Sequence, residues 1–199
     1  MDAAQRVQLL VSAYEDYLAD VSEYYDEVVN DVIGRVRQSG CLSKTDIAAL
    51  VSWKRLQANT LWMRRLMGTP DEEVWKVTSE AVTLARDETV DPPHSATAAR
   101  SALSSLAGFG SGDALASTIC FAAAPDRLAV YDRRADAGLG HIGLELSRRR
   151  GRYGRYIGLV EGCRQELAGA GYAWSARQVD LALFQLGRPS LAASGTTSV

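Results

Sequence analysis

The residues best suited to chemistry fall in one stretch, between Leu103 and Tyr156. Gly108, Gly110 and Gly112 punctuate a bend ahead of a helix-forming run. Glycine lets the backbone turn sharply there and leaves the first amide N–H groups of the following helix exposed. Such donors, with the helix dipole behind them, favour a phosphate oxygen. Gly108, Gly110, Ser111 and Gly112 are therefore candidate phosphate contacts. Arg133, Arg148, Arg149, Arg152 and Arg155 supply guanidinium groups for the same purpose, although a solvated loop accounts equally well for an arginine run. Asp132, at the head of another helical stretch, is placed to cap that helix by accepting backbone amides. The cysteines Cys41, Cys120 and Cys163 stand singly and the two histidines lie far apart, so no metal site and no cofactor are expected.

Charge is polarised along the chain. The net charge of the 199 residues is −2, which taken alone argues against a nucleic-acid-binding protein. Seven acids between Val7 and Gly34 stand without one lysine or arginine, whereas the stretch Asp126–Tyr156 holds eight arginines against four acids. That pattern fits either one anion-facing surface or two solvated helix faces, and the acidic N-terminal helix is a candidate surface for a protein partner. No window reaches the roughly 18 apolar residues of a membrane span, and no secretory signal opens the chain, so the expectation is a cytoplasmic protein without a membrane partner.

Helical signals must position these residues, since no run shows the bounded alternation of a strand, and the expected fold is all-α. Apolar residues three or four apart predict a helix over 3–38, ended by Gly40. Ser43 caps a second, running to about Met67 before Gly68. Thr69-Pro70-Asp71-Glu72 starts a third, to about Arg86. Asp87–His94, with Pro92-Pro93, reads as a loop. Helices over 95–106 and 111–123 flank the glycine bend, and Ser175 with Gln178 opens a last one. The tail 190–199 is small and polar enough to be loose.

Leu103–Ala116, with its Gly108-Phe109-Gly110 bend, followed by Pro125-Asp126-Arg127-Leu128-Ala129-Val130-Tyr131-Asp132, resembles the helix-hairpin-helix base-excision DNA glycosylases. Similarity extends more weakly over residues 42–187. The resemblance implies a two-lobed helical fold with an interlobe cleft, its hairpin lobe at about 43–128 and its second lobe from 1–42 plus 129–189. It also implies that Asp132 is the catalytic carboxylate, stabilising an oxocarbenium-like sugar as the N-glycosidic bond breaks. DNA is the implied partner, held at its backbone by the glycines and arginines named above. Trp53 and Tyr131 are candidates to stack on or wedge behind an extruded base, or else belong to the core.

Two departures from the family pattern matter. Gly112 stands where bifunctional members carry a lysine nucleophile, which implies a monofunctional enzyme forming no Schiff base. Asp113 puts a carboxylate in the first turn of the second hairpin helix, where it would compete with phosphate. A non-catalytic module that keeps the fold for nucleic-acid or protein recognition is the alternative reading.

Overall fold

The computed structural model describes residues 1–22, 24–56 and 61–189, whose regular elements are all helices, with no strand among them. The expected tail at 190–199 lies outside the described residues. The helices are α1 (Ala3–Asp20), α2 (Glu27–Ser39), α3 (Lys44–Trp53), α4 (Leu61–Gly68), α5 (Asp71–Arg86), α6 (Pro92–Ala102), α7 (Ala114–Ala123), α8 (Arg133–His141), α9 (Arg152–Gly169) and α10 (Ala176–Leu186). None of them is long and apolar enough to cross a membrane.

Local chemistry explains most boundaries. Asp2 with Gln5, Ser43 with Asp46 and Ser175 with Gln178 form reciprocal capping boxes that start α1, α3 and α10. Gly40 ends α2 in a left-handed conformation, its N–H donating to the Val36 carbonyl.

Three expected boundaries are corrected. The run over 3–38 breaks after Asp20. The intervening turn brings Tyr25 beside Trp53, whose indole N–H donates to the Tyr25 carbonyl at 3.1 Å. The helix from Ser43 stops at Trp53 and does not reach Met67, because Arg55 takes a left-handed conformation (φ 55°) and the Leu56 N–H returns to the Val51 carbonyl. That is a Schellman-type ending with arginine in the seat glycine usually holds. Pro92 and Pro93 belong to the first turn of α6, with the Asp91 side chain accepting the His94 amide. Proline is compatible with that turn, whose amides lack intrahelical partners.

The centre of the core is α7, where every residue from Leu115 to Ala123 is buried. It packs against α2, α3, α5 and α6, while α10 lies across α8 and α1, and α9 against α6. Each fully buried Leu or Ile in these interfaces contributes about 1.5–3 kcal/mol. The crossing of α8 and α10 is closed by glycine. A Cβ on Gly138 would fall 2.0 Å from the Leu183 carbonyl oxygen, and one on Gly187 would fall 1.8 Å from that of Arg134. This backbone-to-backbone approach fixes the start of α8, and with it Asp132, against α10.

Candidate functional site

Asp132 is the N-cap of α8. Its Oδ1 accepts the Arg134 amide at 2.8 Å and its Oδ2 accepts from Lys54 Nζ, at the C-terminal end of α3, at 2.6 Å. Burial pushes the carboxyl pKa up, but the Lys54 ammonium, its hydrogen bond and the Arg134 amide outweigh this and hold it below the ordinary aspartate value. The carboxylate is therefore ionised at neutral pH. It walls a groove of about 470 Å³ with Tyr17, Tyr25, Lys54, Arg134 and Phe184, a size within the usual range for small-molecule sites. A smaller recess of about 30 Å³ runs in beneath, towards Trp53, Arg177 and Asp180.

The floor of this groove is a buried ionic network. Arg177 donates to Asp180 at 2.7 Å and lies 3.5 Å from Asp26, with its guanidinium 5.4 Å and 5.2 Å from the Trp53 and Phe121 ring centres. Tyr156 donates its hydroxyl to Asp180 at 2.6 Å. Burial raises the Asp180 pKa, against the opposing pull of Arg177 and Tyr156.

Both aromatic candidates are largely buried. Trp53 is 8% exposed, with Tyr25 and Phe121 as ring neighbours. Tyr131 is 5% exposed, with Arg152 over its ring at 4.6 Å and Tyr156 edge-on at 5.5 Å. Both are packed among core residues, which fits the alternative that they belong to the core. The accessible rings of the groove are those of Tyr25 and Phe184, which stand half-buried.

Asp132 has extended backbone (φ −138°, ψ 149°), and neighbours in such a segment point to opposite sides. Tyr131 and Arg133, the sequence neighbours of Asp132, line a cavity of about 600 Å³ together with Asp136, Arg148 and Arg152. It adjoins a cleft of about 710 Å³ lined by Arg100, by Gly110, Ser111, Gly112 and Asp113 of the bend, and by Arg148–Arg152. The structure thus brings together Gly110, Ser111, Gly112, Arg148, Arg149 and Arg152, with Arg133 next door.

Two expected backbone contacts sit elsewhere. Gly108 (φ 93°) lies under the Trp62 ring, where a Cβ would come within 2.3 Å of a ring carbon. Arg155 spends its guanidinium inside the 147–150 loop, donating to the Ser147 carbonyl at 3.0 Å, to that of Arg150 at 2.5 Å and to that of Arg149. The Asp132 groove includes no residue of the 107–113 bend in its lining. Lys54, Tyr17, Tyr25 and Phe184 are the groove residues that sequence reasoning missed. Lys54 meets Asp132 across 78 positions, and no local pattern signals that pairing.

No protein-family model, curated protein or solved structure matches this chain.

Proposed function

We propose that this chain is a monofunctional N-glycosylase-like enzyme acting on a damaged or modified base in DNA, with Asp132 as its catalytic carboxylate. In this reading α6, the 103–113 turn and α7 are the helix-hairpin-helix, and the groove at the start of α8 is the interlobe cleft. The observation that carries the proposal is an ionised carboxylate, fixed by Lys54 and the Arg134 amide, on the wall of an open groove with half-buried rings. As the base departs with its bonding electrons, C1′ of the sugar becomes positive, and a fixed anion beside it lowers the barrier. Water then adds to C1′ and gives up a proton, leaving free base and an abasic sugar. Asp113 of the bend pairs with Arg152, whose guanidinium lies over the ring of Tyr131, the residue before Asp132.

The decisive assay is chromatographic detection of free base from DNA carrying alkylated, deaminated, oxidised or hypermodified bases. Release by the wild type and its loss in Asp132→Asn is the expected result. Absence of release across these substrates, with Asp132→Asn behaving as wild type, contradicts it. The Lys54 pairing favours a second reading, because an ammonium 2.6 Å away offsets the negative charge of Asp132. A non-catalytic nucleic-acid-binding module would bind DNA, release no base, and keep its affinity in Asp132→Asn.

A further inference from the structure

Resting on the reading that Asp132 serves hydrolysis, we infer that Lys54 is the general acid of the reaction and passes its Nζ proton to the departing base. The substrate is then a neutral base, deaminated or oxidised, rather than one alkylated to a cation. Among the residues lining the groove and the recess beneath it, Lys54 is the only lysine, and it lines both. Its side chain is 14% exposed, and Nζ donates to Asp132 Oδ2 at 2.6 Å. A base lying in the groove against Asp132 therefore has this proton beside it. The other polar groups are poorer donors. Asp132 is ionised, and the arginines of the lining cannot give up a proton in a protein. Burial pushes the Tyr17 hydroxyl up to about 12, and Asp180 is held by Tyr156 and Arg177.

The ion pair poses a conflict that proton transfer removes. An ammonium 2.6 Å from Asp132 offsets the charge that a positive sugar needs, so a pair that stayed intact would weaken the catalysis. As the C1′–N bond breaks, its electrons go to the base nitrogen, and the proton from Nζ goes to the base. The base leaves uncharged, Lys54 becomes a neutral amine, and the Asp132 anion is uncompensated as C1′ turns positive. Water then adds to C1′, and its proton returns to Lys54 and restores the ammonium, so no other reactant is consumed. A base made cationic by alkylation leaves as a neutral molecule without that proton, and Lys54 then only masks Asp132.

The recess favours the same class of base. Arg177 lines it, and its buried Nε has no hydrogen-bond partner among the described residues. At about 30 Å³ the recess has room for a water-sized group. A carbonyl oxygen on the edge of a ring in the groove is such a group, and it accepts from the guanidinium, which can only donate. Deamination replaces an amino group by a carbonyl, and ring oxidation adds one.

The test is single-turnover base release by the full chain from duplexes carrying uracil, hypoxanthine or 8-oxoguanine, all neutral, or the cation 7-methylguanine. Lys54→Arg keeps a cation beside Asp132 but cannot give up a proton. It is expected to slow release of the neutral base about 100-fold or more, as loss of a positioned acid does. Its effect on 7-methylguanine is expected to be at least about tenfold smaller, since no proton is needed there. Equal losses on neutral and cationic bases make Lys54 a support for Asp132 alone and overturn proton donation. If Lys54→Arg fails to fold, the wild type in D₂O decides. Slower release of the neutral base is expected, and a rate unchanged in D₂O overturns the inference. An adduct trapped by borohydride on Lys54 shows attack of the amine on C1′ and also overturns it. Release of 7-methylguanine alone, lost in Asp132→Asn, overturns the role of Lys54 while the Asp132 reaction stands. Absence of release from all four duplexes overturns both.

Discussion

Replacing Gly138 by alanine probes the contact that holds the candidate carboxylate in place. The added Cβ would lie 2.0 Å from the Leu183 carbonyl oxygen, 2.8 Å from its carbon and 3.0 Å from its Cα. All three are backbone atoms within α10, so no side chain can swing aside, and α8 must move away from α10. Overpacking of this kind costs ~3 kcal/mol, at the upper end of the usual range. Alanine recovers ~1 kcal/mol of helix propensity over glycine, leaving a net loss of ~2 kcal/mol. For a chain of this size that corresponds to a melting temperature lower by roughly 4–8 °C. Gly34→Ala is the matched control. Gly34 lies inside α2 with nothing within 4 Å of its would-be Cβ, so the same change there gains ~0.5–1 kcal/mol. Thermal and urea melts of both variants read the two signs directly. A Gly138→Ala protein melting at or above the wild type, or a Gly34→Ala protein melting clearly below it, refutes the reasoning.

Two further outcomes follow from the groove and its floor. Tyr156→Phe removes the 2.6 Å donor to the buried Asp180 carboxylate and is expected to cost ~1.5–3 kcal/mol in urea denaturation; an unchanged midpoint contradicts the network. Asp132 binds fewer protons folded than unfolded, because its folded pKa is depressed. Its stabilising contribution is complete above the unfolded aspartate value of about 3.9 and is lost as pH falls through the folded value. Asp132→Asn is therefore expected to destabilise the protein at neutral pH and to flatten the acid limb of stability against pH, and an acid limb as steep as that of the wild type counts against the pairing.

Features written within a few residues were legible in the sequence. The caps at Ser43 and Ser175, the stop at Gly40 and the helix opening at Asp132 each depend on one side chain reaching a nearby amide or on one glycine. Long-range packing decided what could not be read. The break after Asp20 accompanies the meeting of Tyr25 with Trp53, and the stop after Trp53 uses an arginine in a left-handed seat that residue type does not advertise. The site divides in the same way. Asp132 and the arginine run stood out as residue types, whereas Lys54 joined Asp132 only through the meeting of α3 and α8. Asp113 read as a repellent in one dimension because Arg100 and Arg152, its partners, arrive from α6 and α9. Arg155 is indistinguishable in sequence from its neighbours, yet it faces into the loop they face out of.

The central claim, that Asp132 stabilises positive charge on a sugar, is tested most directly without knowing the base. Two oligonucleotides are compared, one carrying a cationic pyrrolidine abasic analogue, which mimics the oxocarbenium ion, and one carrying neutral tetrahydrofuran at the same position. The wild type should bind the cationic analogue at least about 100-fold more tightly, as a transition-state mimic demands, and Asp132→Asn should erase that preference. Equal affinity of the wild type for the two, or a preference that survives in Asp132→Asn, would contradict the catalytic role of this carboxylate.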